Sequence, residues 1–497
     1  MHVLLIIVVT FLIRENLAKN RTLPDDLILG CATSAYQVEG AWNEDGKGEN
    51  IWDRFTHTRP EMIADGTNGD IACDSYHKID EDVALIKDVG FSRYRISISW
   101  TRILPYGFVN VINKEGIKYY NNLIDKLISN GITPQVTLYQ FDLPQVLQDL
   151  GGWTNSLVSK WFEDYARVVF DTFGDRVKEW ITVNEPKEIC RLGYANGTEA
   201  PGIKSSGVGQ YLCVRNALLA HARVYHLYKN EFDISQKGRI SISIECDWKE
   251  PGSNSSADRE AAYRDRQFEF GMYAHPIYTP EGDFPEIVKK IVASRSIAEG
   301  FTESRLPSFT PEEVSYIRGT YDFFGLNYYC TLYVVNTLPI AIGLPSYDKD
   351  IGIATFSDPN WFTGTKDYFN NVPWGFRKML KYIKHHYGDP EILVTEIGIP
   401  VPEEFDDYNS TKFHNDHLNA LLDAVEIDKV KVKAYTVWSL MDNFALASGY
   451  TVKFGVYHVD FKDPNRKRTP KLSHKYFKEL TKTRVVKDKL DDRYVQH

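Results

Sequence analysis

The stretch VKEWITVNEP, residues 177–186, is an apolar run that ends in an Asn-Glu pair. Similar runs recur along the chain, and amphipathic stretches with apolar residues at helical spacing lie between several of them, at 116–131, 157–175 and 417–430. Continuously apolar strands separated by helices predict a parallel sheet that is buried on both faces. The other runs are LILGCATSAYQ (27–37), SRYRISISW (92–100), ITPQVTLYQF (132–141), RISISIE (239–245), YDFFGLNYY (321–329), EILVTEIG (391–398) and VKAYTVWSL (432–440). Eight such units predict an α/β fold, a single (β/α)8 TIM barrel.

Size and charge narrow the class of protein. A chain of 497 residues is long enough for two or three average domains, but a single large barrel is also in range, and no low-complexity linker divides it. The net charge is −9 and there is no basic tail, which argues against nucleic acid as a partner. We therefore expect one domain over residues 19–497 and a small-molecule ligand. A homodimer is left open.

The first residues have the pattern of a secretory signal. The apolar run Val3–Ile13 is too short to span a bilayer, and small Ala18 follows a polar stretch, so we expect a signal peptide over residues 1–18 and a secreted protein. An uncleaved anchor is the alternative reading, and no later segment predicts stable membrane insertion. Asn-x-Ser/Thr sequons fit the secretory pathway and occur at Asn20, Asn196, Asn254 and Asn409.

The cysteines do not predict a metal site. They are scattered and form no CxxC motif, so the sequence indicates neither a zinc site nor a disulfide scaffold. One or two bridges remain open, and their pairing cannot be read from the sequence. The cysteines are Cys31, Cys73, Cys190, Cys213, Cys246 and Cys330.

Two glutamates at the ends of predicted strands stand out. Glu185 closes ITVNE and Glu396 closes ILVTE. A carboxylate at the end of an apolar strand is costly to bury without a partner, and one alone would equally fit a structural ion pair. Two of them, on the fourth and seventh strands of a barrel, point into one cavity. Cleavage of a glycosidic bond needs such a pair, one carboxyl to protonate the leaving group and one to attack the anomeric carbon.

With these strand-end glutamates in their motifs, the chain resembles family 1 of the glycoside hydrolases, the retaining β-glucosidase family, and most closely its insect members. The resemblance extends from about Pro24 to Phe477 and rests on motifs in the family's order. They are SAYQVEGAWNEDGKGENIWD, YRISISWTRILP, TLYQFDLPQ, TVNEP, FFGLNYY, LVTEIG, WSLMDNF and GYTVKFGVYHVDF.

The resemblance implies roles for individual residues. Glu185 matches the acid/base and Glu396 the nucleophile, and Arg95 and Tyr329 match its hydrogen-bonding partners. No metal or organic cofactor is implied. The substrate-binding residues implied are Gln37, Gln140, Asn184 for the 2-hydroxyl, Asn327, and Trp438 as the aromatic floor under the sugar, together with the positions of Ala445 and Leu446. Trp438 taken alone would read as an ordinary core aromatic.

The part of the pocket that binds the sugar departs from the family pattern. Gln140-Phe141 replaces His-Trp, and Ala445-Leu446 replaces the Glu-Trp pair that ordinarily binds near the 4- and 6-hydroxyls; Ile397 replaces an Asn. Loss of one charge-assisted hydrogen bond costs about 1.5–3 kcal/mol, or about ten- to a hundredfold in affinity for plain glucose. Three explanations stay open: binding energy drawn from the aglycone, a glycone such as a 6-substituted glucose, or a catalytically impaired sugar-binding relative.

Two cations follow the predicted acid/base, Lys187 and Arg191. They are either solvated cations paired with Glu188 or Glu199, or a clamp for an anionic aglycone, for which Arg suits sulfate oxygens. Insect thioglucosidases (myrosinases) of the family hold a sulfate with a cation in this loop. We therefore expect a retaining β-glucosidase, with a thioglucosidase acting on glucosinolates slightly preferred over an O-β-glucosidase acting on aryl or other plant-derived β-glucosides.

Overall fold

The computed structural model describes residues 20–366 and 368–490, and the expected signal peptide, residues 1–18, lies outside them. Eight parallel strands form a closed barrel whose neighbours follow chain order, so the predicted fold is confirmed. Each strand lies within one of the predicted runs. The strands are β1 Ile28–Ala32, β2 Arg93–Ser97, β3 Thr133–Tyr139, β4 Glu179–Asn184, β5 Arg239–Glu245, β6 Phe324–Tyr328, β7 Ile392–Ile397 and β8 Val432–Trp438.

The helices cover the outside of the barrel. Lys114–Ser129 is typical: Asn113 accepts a hydrogen bond from the backbone N–H of Glu115 and so caps its start, and one face of the helix is buried. The longer α-helices are Ile51–Thr58, Ile79–Val89, Lys114–Ser129, Val158–Phe173, Gly209–Leu227, Ser256–Arg266, Met272–Tyr278, Glu286–Ala298, Pro311–Ile317, Pro373–His386, Tyr408–Glu426 and Leu472–Thr483. All three sequence-predicted helical stretches are present.

Shorter elements connect the barrel units and build the rim. Outside the barrel, Trp248–Pro251, Thr331–Asn336 and Ile353–Phe356 form a three-stranded sheet, and Arg21–Thr22 pairs with Val485–Val486 and Tyr457–Val459 with Arg468–Pro470. The short α-helices are Ala35–Val38, Trp100–Ile103, Gln145–Asp149, Pro186–Glu188, Asp233–Gln236 and Tyr347–Ile351. Wider π-type turns lie at Ile189–Asn196, Tyr228–Phe232 and Gln267–Gly271, and tighter 3-10 turns lie at Pro60–Met62, Gly152–Thr154 and Leu446–Ser448.

The two ends of the barrel differ in character. Inside it, Ile181, Leu393 and Ala434 pack with Phe323, which fills the interior with apolar side chains. At the N-terminal ends of the strands, Arg93 pairs with Glu179 at 2.9 Å. The C-terminal ends instead carry a buried polar network that includes both candidate glutamates. The chemistry therefore lies at the C-terminal end and a structural ion pair at the other.

Two further expectations can be compared with the fold. Of the disulfide pairings left open by the sequence, Cys190 forms a bridge with Cys213, with the two Cα atoms 5.5 Å apart. The other four cysteines are free and buried. Over the described residues, no helix combines the length and apolar character needed to cross a membrane.

Candidate active site

Glu185 and Glu396 line the same cavity, which has a volume of about 240 Å³. Glu185 directly follows β4 with a left-handed backbone (φ 51°), and its N–H donates to the carbonyl oxygen of Ser243 at 2.9 Å. Left-handed backbone is unusual outside glycine and concentrates at functional sites. Glu396 lies within β7 and its Cα pairs in register with Asn327 of β6. The barrel thus brings together two glutamates that are far apart in the sequence.

Three donors converge on the carboxylate of Glu396. Arg95, fully buried, forms an ion pair with its Oε1. Tyr329 donates its hydroxyl to Oε2 at 2.7 Å, and Gln140 donates Nε2 to Oε1 at 3.3 Å. A cation and two further donors thus hold the carboxylate of Glu396 in place, as a nucleophile requires.

Glu185 has the opposite surroundings. Burial, followed by the charge of Glu396, raises the pKa of Glu185 well above its ordinary value, against the opposing hydrogen bond from Asn327. No cation contacts its carboxyl group among the described residues. The two glutamates therefore differ in their surroundings as an acid and a nucleophile must.

Asn327 positions its neighbours and does not line the cavity. Its Nδ2 donates to Glu185 at 2.5 Å and to Oδ1 of Asn184 at 3.0 Å. Its Oδ1 accepts from the hydroxyls of Ser243 and Thr395 at 2.8 and 2.7 Å. Because this buried amide is fully paired within the protein, the expectation that Asn327 contacts substrate is corrected: it holds the proton donor in place.

Asn184 and Gln37 keep different capacities for a ligand. Asn184 is fully buried and accepts from Arg95 at 2.6 Å, but its Nδ2 has no partner among the described residues and can donate to a hydroxyl. Gln37 lines the cavity, yet its Nε2 already donates to Asn443 and to the carbonyl oxygen of Phe444. Its Oε1 accepts from a serine hydroxyl at 2.6 Å. Gln37 can therefore accept from a sugar hydroxyl but has no N–H left to donate.

One end of the cavity is apolar. Trp438 lies there at the end of β8, beside Ala445 and Leu446, and Val452 and Phe454 complete the wall. Ala445, Leu446, Val452 and Phe454 offer no hydrogen bonds, and the indole N–H of Trp438 is the one side-chain donor among these five residues. Ala445 and Leu446, the two substitutions noted in the sequence, both line the cavity.

Lys187 and Arg191 do not line the cavity. Lys187 is 4% exposed and is enclosed by carboxylates: Glu245, Glu188 at 3.0 Å and Glu269 at 3.6 Å. Burial alone would lower the pKa of Lys187, but these carboxylates raise it well above its ordinary value. The expectation that Lys187 contacts a leaving group is therefore not supported. Its ammonium is paired with three carboxyl groups of the protein, and its side chain does not line the cavity.

Arg191 is also committed to carboxylates. It donates to Glu269 at 3.0 Å and lies 3.4 Å from Asp348. The charge of Glu269, against the opposing effect of burial, raises the pKa of Arg191 above its ordinary value. The two cations expected to clamp an anionic aglycone therefore belong to an ion-pair network within the protein. Of the two partners named in the alternative interpretation, Glu188 pairs with Lys187, and Glu199 pairs with neither cation.

Several cavity residues were not singled out by the sequence. Glu245 closes β5 and is a third strand-end glutamate that the sequence analysis did not single out. The others lie on loops and wide turns beyond the strands, where strand-end patterns could not indicate them. Glu188 and Glu199 had been considered only as partners for the cations. The lining residues missed are Glu188, Leu192, Glu199, Glu245, Asp247, Cys330, Lys366, Tyr368, Phe369, Ser448, Val452 and Phe454.

The arrangement can cleave a glycosidic bond. Two carboxyl groups with different surroundings share a cavity, and an aromatic ring forms one wall. Asn184, which carries the unpaired amide donor, directly precedes Glu185 in the chain. An acid and a nucleophile of this kind support displacement at an anomeric carbon through a glycosyl-enzyme intermediate.

Comparison with known proteins agrees with this chemistry. The model of the Glycosyl hydrolase family 1 matches residues 19–486. Myrosinase 1 of Brevicoryne brassicae is 48% identical over 463 residues, which are 93% of this chain and 98% of that protein. Cytosolic beta-glucosidase of Cavia porcellus is 44% identical over 462 residues, or 92% of this chain and 97% of that protein. A solved structure of aphid myrosinase superposes with a TM-score of 0.89 at 47% identity, covering 93% of this chain and 100% of its own. The chain therefore belongs to glycosyl hydrolase family 1 and is a retaining β-glycosidase.

Proposed function

We propose that the protein hydrolyses O-β-glucosides whose aglycone is uncharged, such as aryl or other plant-derived glucosides. One observation carries this preference. The two cations next to the proton donor, Lys187 and Arg191, are bound to the protein's own carboxylates and do not line the cavity. An anionic leaving group would have to displace these ion pairs before it could use them.

The proposed reaction is a double displacement. The carboxylate of Glu396 attacks the anomeric carbon while Glu185 donates its proton to the leaving-group oxygen, so the glycosidic bond breaks and a glycosyl ester forms. Glu185, now ionised, takes a proton from water, which attacks the same carbon and releases both the sugar and Glu396. Arg95 and Tyr329 hold Glu396, and the free Nδ2 of Asn184 binds the sugar's 2-hydroxyl.

The glycone is proposed to be a glucose with an apolar group or a substituent at the 6 position. Ala445, Leu446 and Val452 line the end of the cavity where the family places the 4- and 6-hydroxyls. Gln37 adds no donor there, since its amide is used within the protein. Plain glucose would lose hydrogen bonds to water at this end without regaining them.

A thioglucosidase acting on glucosinolates is the second candidate. Two observations favour it: the 48% identity with Myrosinase 1 of Brevicoryne brassicae over nearly the full length of both chains, and Lys366. Lys366 lines the cavity, and within the described residues its ammonium has no carboxylate partner. A sulfate could be held by this lysine instead of by Lys187 or Arg191.

A substrate panel separates these candidates. The purified protein would be assayed against a glucosinolate, an aryl β-glucoside, a cyanogenic β-glucoside and a 6-substituted glucoside, with Glu396→Gln as the inactive control. We expect the aryl glucosides to be cleaved with the higher kcat/KM. A glucosinolate that is cleaved faster than every O-glucoside would replace this proposal with the second candidate.

We also propose that the protein is secreted. The apolar run Val3–Ile13, the sequons and the disulfide Cys190–Cys213 support this, since disulfides persist mainly in oxidising compartments. N-terminal sequencing of protein recovered from the medium of expressing cells tests it. A mature chain that still begins at Met1 would contradict the proposed cleavage.

A further inference from the structure

The side of the cavity that borders the leaving group is rich in carboxyl groups. Glu185 delivers its proton to the leaving-group oxygen, so the residues after it that line the cavity are placed near that group. Glu188 and Glu199 are two such residues, and Asp247, just after β5, lines the cavity as well. The leaving group therefore meets an acidic wall.

The cations that follow Glu185 and Asp247 near this wall are already paired with carboxyl groups of the protein. Lys249 pairs with Asp247 at 3.1 Å, and Lys187 and Arg191 are held as described above. The carboxylates that share these three cations are Glu188, Glu245, Glu269, Asp247 and Asp348. A further negative charge at the wall would be repelled rather than bound.

Glu199 is the wall residue that is free to bind a ligand. Within residues 20–366 and 368–490 its carboxyl group has no hydrogen bond and no ion pair, and it lines the cavity. Burial, followed by the charge of Glu188, raises the pKa of Glu199 to about 8. Near neutral pH the group therefore carries a proton for most of the time and can both donate and accept a hydrogen bond.

A second feature, beside the nucleophile Glu396, also indicates that the cavity binds a polar ligand. Gln140 is 2% exposed and lines the cavity, yet its Oε1 has no partner among the described residues. A buried acceptor without a partner costs free energy unless a ligand or water satisfies it. A ligand of this cavity should therefore carry a hydrogen-bond donor that can pair with Oε1 of Gln140.

We propose that Glu199 determines aglycone specificity by binding leaving groups that carry O–H or N–H donors, and that the acidic wall around it disfavours anionic ones. This inference rests on the proposed β-glucosidase function and deepens it. Lys366 lies on the loop after the strand Ile353–Phe356 and is the feature that opposes it, because a free ammonium attracts anions.

The experiment uses four aryl β-glucosides that share one phenol and differ only in a distal group: methyl, hydroxymethyl, aminomethyl or carboxymethyl. We would measure kcat/KM for the parent enzyme, Glu199→Leu and Glu199→Gln. Glu303→Gln is the matched control, since Glu303 is exposed and does not line the cavity. The methyl compound reports folding and chemistry in every variant.

In the parent, the hydroxymethyl and aminomethyl compounds should be cleaved about tenfold better than the methyl compound, and the carboxymethyl compound worst. Glu199→Leu should erase the advantage of both donor compounds over the methyl compound. Glu199→Gln should keep the hydroxymethyl advantage and lose most of the aminomethyl advantage, while Glu303→Gln changes neither.

Two results would overturn the inference alone: equal rates on all four compounds, or a preference for the carboxymethyl compound, which would assign specificity to Lys366. A Glu199→Leu variant that loses activity on all four compounds equally would also overturn it, because Glu199 would then be structural. A parent enzyme that cleaves none of them overturns the proposed function itself.

Discussion

At the scale of single residues, the two candidate glutamates show how surroundings divide one residue type into two roles. The carboxylate of Glu396 forms an ion pair with Arg95 and accepts hydrogen bonds from Tyr329 and Gln140. Glu185 is buried near Glu396 and accepts one hydrogen bond, from the side-chain amide of Asn327. The same carboxyl group is therefore stabilised as an ion in one place and as an acid in the other.

The raised pKa of Glu185 predicts a pH profile. Since the proton donor must be protonated, and its pKa lies well above the ordinary value, kcat/KM for an aryl glucoside with a poor leaving group should hold at neutral pH and fall as pH rises through that pKa. Glu185→Ala should lower kcat/KM by about 10²–10⁴-fold, remove this alkaline limb and be partly rescued by azide. Glu188→Gln, one turn further along, should keep the limb. An alkaline limb that survives in Glu185→Ala would assign it to another group.

Residue patterns predicted the strand-end glutamates because their position depends only on the strand that carries them. The same reasoning failed for Lys187, whose environment depends on Glu245 and Glu269, which come from elements much later in the chain. It failed for Asn327 as well, since the motif could not show that four groups of the protein saturate its amide. Pairing between distant side chains is a property of the folded barrel and not of local sequence.

At the scale of elements, the barrel strands were readable because burial on both faces makes them continuously apolar. The short strands of the rim, such as Trp248–Pro251, are half-exposed and carry no such pattern. Directly after the proton donor come a short helix, Pro186–Glu188, and a wide turn, Ile189–Asn196. The disulfide from Cys190 to Cys213, whose pairing the sequence did not reveal, ties this turn to the helix Gly209–Leu227.

This disulfide should stabilise the leaving-group wall. Its sequence separation of 23 residues corresponds to about 3 kcal/mol of loop-closure free energy in the unfolded chain. Replacing Cys190 and Cys213 together with serine should lower the free energy of unfolding by about that amount and raise KM more than it lowers kcat, because the wall loosens while the glutamates stay on their strands. Cys31→Ser, at a free buried cysteine, is the control for the substitution itself. An unchanged KM would show that the wall is held by its ion pairs alone.

The turn after β8 should limit activity on plain glucosides. Ala445 and Leu446 present no hydrogen bond to the sugar, so restoring Glu and Trp together at these positions should raise kcat/KM for a simple aryl glucoside about ten- to a hundredfold. Ala447→Glu adds the same charge at a position that does not line the cavity and should not help. If activity falls while the fold is retained, the pocket has been rebuilt around a different sugar.

At the scale of the whole molecule, closing eight strands into a ring is what makes β4 and β7 deliver their carboxyl groups to one opening. In retaining enzymes the two carboxyl groups lie about 5–5.5 Å apart, which leaves no room for a water between nucleophile and sugar. We expect the first-formed sugar from a β-glucoside to be the β-anomer, observed by NMR before mutarotation. An α-anomer would rule out the covalent route through Glu396.

The residues that stabilise the barrel and the residues that carry the chemistry lie at opposite ends of β4, and this leads to a prediction about two variants. Glu179, at the N-terminal end of β4, accepts hydrogen bonds from Arg93 at 2.9 Å and from Gln135 at 3.0 Å. Removing it leaves the buried guanidinium of Arg93 without its carboxylate, which should cost about 3 kcal/mol in the free energy of unfolding. Because Glu179 lies at the opposite end from the cavity, Glu179→Ala should keep the kcat/KM of the parent on an aryl glucoside.

Glu185→Ala, at the other end of the same strand, should do the reverse: it loses activity and keeps stability, since it removes a carboxyl that has no cationic partner. Urea denaturation and initial-rate assays on both variants test this, and a loss of both properties in either variant would contradict the separation.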